Sequence, residues 1–465
     1  MFSCVRGAGG LCLHGSRLVA TDGELRMADE SSAKLSGRAI AAATVGNALE
    51  FYDFITYAFF AIQIGHAFFP ATNAYANLML SLATFGAGFV TRPLGGIVLG
   101  GLSDRIGRRA VMMLSFTMMG FAIVTIAIIP PYSVIGIAAP ILAVLARMVQ
   151  GFSLGGEVGP TTAYLLEAAP LKARGLAVSW QGASQGIAAT AGATVGVVLS
   201  AVMPAGPLDA YGWRIAFLLG AVTIPFGLWI RKGLPETLHH EEPHAISQSQ
   251  SGGLRAVAEN WRIILLSLIT LAGGTIQTYS FDYMTTFAQN TLKFTALIGF
   301  AAGALGNLTG VVATLWGGAL SDRIGRRPVM VWPTAIFLVT VYPMFVVIVQ
   351  SGSAVVFLVA IAYFGFISSV SAGAFYAALA ETLPKRIRGG AFATIYATSI
   401  ALFGGTTQFV ITWLLHVTGN PMAPAWYLLV ATAASVIAMY LIVESAPARR
   451  APAALDAAVE AAVVP

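Results

Sequence analysis

Asn47, Glu50, Asp53 and Tyr57 follow one another at steps of three, three and four residues. On a helix turning 100° per residue they share a stripe about 120° wide. Two carboxylates on one face of an otherwise apolar segment are costly in a non-aqueous setting, and such residues mark ion or proton pathways. Burial favours the neutral form of a carboxyl group and a nearby arginine favours the ion, so the two together make a group that can take up and release a proton. Asp53 is the first candidate for that task and Glu50 the second. The competing reading is a structural ion pair with an arginine.

Two arginines have the matching placement. Arg92 lies twelve residues before Asp104, about 18 Å along a helix at 1.5 Å per residue. Arg147 shares its segment with Gln150 and Glu157. A guanidinium fork fits a carboxylate with two hydrogen bonds. Arg92 and Arg147 could therefore hold an anionic substrate, or could neutralise Glu50, Asp53 or Glu157. Gly151, Gly155 and Gly159 recur every four residues beside them, a small-residue face that lets helices approach closely. Asn47, Tyr57, Gln150 and Glu157 are further candidates for substrate contact, as are Gln181, Gln185, Asn307 and Tyr376, which could instead make hydrogen bonds between helices. Tyr279, Asp282 and Gln408 are polar groups of the same kind.

These residues sit in segments that only a membrane suits. Of 465 residues 57% are apolar and 10% charged, against about 25% charged in soluble domains. Apolar runs begin near Ala39, Ala76, Ala110, Val134, Gly175, Trp213, Trp261, Ala296, Pro328, Val355, Gly389 and Ala425. Each approaches the roughly 20 residues that cross a bilayer, so twelve spans are expected. Lys and Arg gather in every second loop, which places both termini in the cytoplasm. The net charge of +6 is spread over these loops, and nucleic-acid binding is not expected. Cys4 and Cys12 both precede the spans, so no disulfide framework is implied.

Two loops repeat. Gly100–Arg109 reads GGLSDRIGRR and Gly318–Arg327 reads GALSDRIGRR, matching at nine of ten positions 218 residues apart. Glu167, Pro170, Arg174 and Gly175 recur as Glu381, Pro384, Arg388 and Gly389, offset by 214. Two landmarks at nearly one offset indicate a duplicated six-helix unit. The loops carry Asp104, Arg105, Gly107, Arg108 and Arg109 in the first copy, and Asp322, Arg323, Gly325, Arg326 and Arg327 in the second. Carboxylate and guanidinium pairs there could lock neighbouring helices in one state and release them in another. Anchoring of the cytoplasmic face is the plainer reading, but the Asp and the Gly add nothing to anchoring.

The SDRIGRR loops resemble the signature loop of the major facilitator superfamily. RMVQG (Arg147–Gly151), the Glu167–Gly175 stretch and LPET (Leu234–Thr237) are similar to its other landmarks. Within the superfamily, GNALEFYDF (Gly46–Phe54), FVTRPLGG (Phe89–Gly96), QGFSLGGE (Gln150–Glu157) and NWRI (Asn260–Ile263) resemble the metabolite:proton symporters, from about residue 38 to 445. That group carries citrate, dicarboxylates, α-ketoglutarate, shikimate and osmoprotectants. The resemblance implies an all-α fold of two pseudo-symmetric six-helix bundles with a central substrate site exposed alternately to each side. It implies proton-coupled symport of a small organic acid anion in the citrate, tricarballylate or dicarboxylate class. A proton-linked carrier of a zwitterion or neutral solute such as betaine, proline or shikimate is the alternative.

The organisation expected is a disordered extension at 1–33, with a working start at Met27, six spans in 34–231, a cytoplasmic linker at 232–259, six spans in 260–445 and a disordered tail at 446–465. No phosphate-binding GxxxxGK[ST] motif, nucleophile–base pair or metal-ligand spacing occurs, which speaks against an ATP-driven pump or an enzyme. No cofactor is expected. The partners are a small-molecule substrate, H+ and the lipid of a bacterial cytoplasmic membrane, and the working unit is a monomer.

Overall fold

The structure, a computed structural model, describes residues 11–14, 17–20, 37–69, 73–106, 108–155, 162, 165–166, 169–232, 260–383 and 388–446. Twelve helical spans follow the twelve apolar runs. In the first half they are Gly37–Phe59, Ala74–Ile106 with a break at Thr91, Arg108–Ile128, Ala138–Leu154, Arg174–Val202 and Trp213–Lys232. In the second they are Trp261–Asn290, Ala296–Ile324, Arg326–Ser351, Ala354–Thr382, Arg388–Thr418 and Ala423–Leu441. Eight of them are long and apolar enough to cross a membrane on length and composition alone. Of the other four, spans three and four are shorter, span one carries two carboxylates, and span six is basic at both ends.

The all-α expectation holds for the bundle. Within the stretch expected to be disordered, Leu11–His14 and Arg17–Ala20 pair as a two-stranded antiparallel hairpin. The linker at 233–259 and the tail beyond 446 lie outside the described residues.

The two halves meet chiefly where span five packs on spans eight and ten and where span two packs on span eleven, with a smaller contact between spans one and seven. Small residues make the meeting close. Gly86 of span two faces the Gly405 carbonyl of span eleven, and Gly196 of span five faces the ring of Phe300 in span eight. Within the second half, spans eight and ten lie backbone to backbone. Gly317 faces the Val370 carbonyl, Gly365 the Gly306 carbonyl and Gly373 the Thr314 carbonyl.

Two spans are not straight rods. Span two breaks just before Arg92–Pro93, where the Thr91 hydroxyl donates to Met148 O of span four at 2.7 Å. The same hydroxyl also lies within reach of Gly88 O of its own helix at 3.2 Å, and proline is the commonest cause of a sharp bend in a helix. Span eleven contains a wide turn at Ile400–Gly404, and Pro333 and Pro343 stand inside span nine. Side chains buried between the spans form two apolar clusters, and phenylalanine predominates among the largest of them.

Candidate functional site

Asp53 and Arg92 both act on Arg147 in the first half, and Glu50 is buried on the same helix as Asp53. Glu50, Asp53, Arg92 and Arg147 are all buried, at 1%, 1%, 3% and 0% exposure. Their helices are held by the glycine face read from the sequence. Gly151 faces the Gly88 carbonyl and Gly155 the Arg92 carbonyl, while Gly88 faces the carbonyl of Arg147. Spans two and four thus lock at the two levels that carry the arginines.

Aromatic rings solvate both guanidiniums. Arg92 lies 4.4 Å from the centroid of Phe54 and 4.8 Å from Phe89. Arg147 lies 4.2 Å from Phe54, 4.6 Å from Tyr57 and 5.1 Å from Phe85. Ring faces attract cations, and more strongly where water is excluded. Arg147 Nη1 also donates to Gln150 Oε1 at 2.7 Å. Asp53 and Arg147 act on each other electrostatically. Space around Asp53 is set by Gly220 of span six, because a methyl group at position 220 would collide with Asp53 Oδ1.

Asn47 and Gln181 have a different place. Gln181 Nε2 donates to Asn47 Oδ1 at 3.1 Å, and Asn47 Nδ2 donates to Ser184 Oγ at 2.7 Å. They tie span one to span five. Glu157 lies outside the described residues, as does Gly107, together with the side chains of Asp104, Arg105, Arg108 and Arg109.

Beside the charged cluster, between the halves, lie two adjoining chambers of ≈ 90 and ≈ 120 Å³. They share Gln185 from the first half and Thr278, Tyr279, Ser368, Ser369 and Tyr376 from the second. Asp282 and Asn307 line the larger chamber and Tyr396 the smaller. Gln185 Nε2 donates to Tyr396 OH across the interface at 3.4 Å. Of the residues expected to touch substrate, Gln185, Asn307 and Tyr376 line this cavity. Arg92, Arg147, Asn47, Tyr57, Gln150 and Gln181 do not. Phe89 and Tyr279, 5.3 Å apart at 87°, stand between the arginines and the chambers.

Sequence reasoning did not single out Thr278, Ser368, Ser369, Tyr396 or Gly220. The serines carried a signal: they belong to a small polar run, Ser368–Ser371, inside an apolar span. Gly220 carried none, because its neighbour is distant in the chain.

At the end that bears the repeated loops, which is the basic end, the second copy forms a dense network. Arg326 Nη1 donates to Asp322 Oδ1 at 2.7 Å, while its Nη2 and Nε donate to Glu381 at 3.0 and 3.2 Å. Asp322 also accepts from the backbone N–H of Gly175 and Leu176, at 2.8 and 3.0 Å, in the opposite half. A carboxylate from one half thereby caps the first turn of span five in the other, where the helix dipole favours negative charge. Gly325 makes the turn possible at φ +105°, a conformation open to glycine and closed to other L-residues. Arg327 packs on Tyr440, 4.5 Å from its ring, and Arg323 is exposed. Glu444, just past span twelve, accepts from the N–H groups of Arg326 and Arg327 at 2.9 and 3.0 Å. Burial pushes Glu444 up, but the backbone N–H groups of Ala446, Arg326, Arg327 and Ser445 outweigh it and hold the carboxyl below its ordinary value.

The opposite end carries two lighter contacts. Tyr75 and His416 stack across the halves with centroids 3.7 Å apart. His66, on the short helix Ala61–Phe68 after span one, pairs with Asp209 at 2.9 Å, each with nearly half its side chain in solvent. The bond from Asp209 raises the proton affinity of His66 above its ordinary value.

Twelve spans in two interlocked halves, with buried charges at mid-depth and a polar cavity between the halves, define a polytopic membrane transporter. The sequence profile of the Major Facilitator Superfamily matches residues 43–316 and 296–464, and the chain belongs to that family. It is 34% identical over 435 residues to a citrate-proton symporter of Klebsiella pneumoniae, covering 93% of this chain and 95% of that one. A putative proline/betaine transporter of Staphylococcus aureus is 31% identical over 433 residues, covering 90% and 89%. Among solved structures, a D-xylose-proton symporter superposes with a TM-score of 0.70 at 16% identity, over 88% of this chain and 98% of that one.

Proposed function

We propose that the protein is a proton-coupled symporter of a small organic acid anion, in the class of citrate, tricarballylate or a dicarboxylate. The observation that carries the reading is the buried cluster of Glu50, Asp53, Arg92 and Arg147. Two guanidiniums balance two carboxylates when both acids are ionised. One proton on Asp53 or Glu50 leaves the cluster with a net positive charge, in a low-dielectric setting where that charge acts far more strongly than in water. The adjoining cavity then favours an anion, and release of the proton on the other side releases the anion too. Likeness to citrate-proton symporters over nearly the whole chain supports the same reading.

In this account the basic end faces the cytoplasm of a bacterial cell, with both termini inside. Asp322 and Arg326 are the gate that closes the inner side, and the first copy of the loop is the other part of that gate. The carrier works as a monomer, and the proton gradient rather than a cofactor supplies the energy.

A second reading has one observation in its favour. Among the described residues, no lysine, arginine or histidine lines either chamber, whereas Asp282 and several tyrosines do. Such a lining also suits the cationic head of a zwitterion such as betaine or proline. Radiolabelled citrate uptake into proteoliposomes under an imposed inward proton gradient separates the two. Uptake that follows the gradient and is blocked by di- and tricarboxylates is expected. Gradient-driven uptake of betaine or proline, with no citrate uptake and no competition by it, would transfer the protein to the second class.

A further inference from the structure

The cavity presents a difficulty for an anion, and its resolution names a residue. Asp282 of span seven lines the larger chamber and is 2% exposed. Its Oδ1 accepts from Asn307 Nδ2 of span eight at 3.5 Å, and its Oδ2 has no hydrogen-bond partner among the described residues. Among the described residues, the groups that line its chamber offer no counter-charge. Tyr279 on its own helix, Asn307 on span eight and Tyr376 on span ten share its chamber, and Tyr396 of span eleven lines the next one. Span one contributes only Phe51 and Ile55 there. Arg92 and Arg147 act on Tyr279, at the edge of the chamber, and line neither chamber themselves.

A carboxylate substrate in this chamber would face an ionised Asp282 in a low-dielectric setting, with no cation among the described lining residues to offset the repulsion. Protonated, Asp282 has the opposite character. Its hydroxyl on Oδ2 becomes a donor with no competing partner in the chamber wall, and a carboxyl donating to a carboxylate makes a short, strong hydrogen bond. Binding of the anion and binding of the proton then favour each other by the same factor, which is the condition for coupling.

We infer that Asp282 is a second proton site: it enters the transport cycle protonated, donates its hydrogen bond to the substrate's carboxylate, and gives up the proton when the substrate leaves. The inference rests on the anion reading above. It adds one proton per substrate to the one carried by the Asp53 and Glu50 cluster. Asn307 is a positioning residue, because its amide holds Oδ1 and leaves Oδ2 to carry the proton.

The test uses the full chain in proteoliposomes. The net charge moved per citrate is read from the reversal voltage, and the citrate KM from equilibrium exchange between pH 6 and pH 8.5. In the unaltered protein, KM should rise about tenfold per pH unit once Asp282 loses its proton, as expected for one linked proton. Asp282→Asn should carry one proton fewer per citrate and show a KM with that rise removed, so that at pH 8.5 it binds citrate more tightly than the unaltered protein. Asn307→Leu keeps Asp282 but removes the donor that favours its ion, and should displace the KM rise to higher pH. An unchanged proton number and an unchanged KM profile in folded Asp282→Asn would overturn the inference, as would an unmoved profile in Asn307→Leu. Absence of citrate exchange in the unaltered protein would instead overturn the anion reading itself, so the two failures are distinct.

Discussion

The two six-helix halves carry one repeated loop sequence, yet they hold their charges at different depths and by different means. The first half keeps Glu50, Asp53, Arg92 and Arg147 at mid-depth, wrapped in Phe54, Tyr57, Phe85 and Phe89. Among the described residues, the second half concentrates its ion pairs at the basic end, in Asp322, Arg326 and Glu381. At mid-depth it offers Asp282 among hydroxyls and amides. Aromatic rings screen a charge from water without neutralising it. Carboxylate–guanidinium pairs neutralise it and fasten helices together. The first arrangement suits a charge that must change during a cycle, and the second suits a contact that must open and close.

Breaking the mid-depth cluster should have the largest effect. Arg147→Ala leaves Asp53 buried without its opposing charge, a loss of about 3–5 kcal/mol for a buried pair. Citrate uptake should fall to background, and the unfolding temperature in detergent should drop. Arg147→Lys should rescue little, because an ammonium has no planar face to lay against three rings. Full activity in Arg147→Ala would mean that the cluster is structural furniture and that the contrast between the halves has no bearing on transport.

Gly220→Ala sharpens the comparison without touching a charged residue. The added methyl lands on Asp53 Oδ1, and overpacking of this kind costs about 1–3 kcal/mol. Uptake should fall steeply, while Gly101→Ala in the same half, where nothing lies within 4 Å, should be neutral. Equal effects from the two would show that Asp53 has room to move.

Asp322→Asn probes the other arrangement. It keeps the shape and removes the charge that caps span five, an interaction worth about 0.5–2 kcal/mol. A cysteine placed in the cavity lining should become more reactive from the basic end, with citrate affinity little changed. Unchanged reactivity would remove the gate assignment and leave the pair as an anchor.

The smallest effect belongs to His66 and Asp209. The folded-state proton affinity of His66 is raised, so the stabilisation is complete below the ordinary histidine range and is lost as pH rises through the raised value. Both side chains are nearly half exposed, and solvent screening keeps the contribution below about 1 kcal/mol. His66→Asn should flatten the decline in unfolding temperature between pH 6 and pH 8.5. A decline of the same slope in the variant would assign it to another group.

Much of this molecule was legible in the chain. Apolar runs and alternating basic loops located twelve spans to within a few residues, since each span must bury its backbone polar groups internally. The exception was span four, expected from Val134 and found from Ala138, because Gly136 at φ +58° interrupts the pattern. The helix-one stripe and both arginines were readable because charge inside a membrane is rare enough to be informative on its own. Contacts between distant segments were less so. Asn47 and Gln181, candidates for substrate contact, bond to each other and line neither chamber, and for Gln181 the choice between substrate and neighbouring helix is decided by how spans one and five rotate. Tyr396 and Ser368 are ordinary residues in an apolar helix until the fold turns them towards the same space.

Spans eight and ten carry a mechanical consequence. At Gly317, Gly365 and Gly373 a carbonyl oxygen of the neighbour occupies the place where a side chain would begin. Two rods seated in this way behave as one beam, because neither can slide or roll without driving backbone into backbone. Bending in the second half is therefore confined to its other members, among them span nine with Pro333 and Pro343 and span eleven with its wide turn. Asn307 and Tyr376, one on each rod, travel as a single rigid wall.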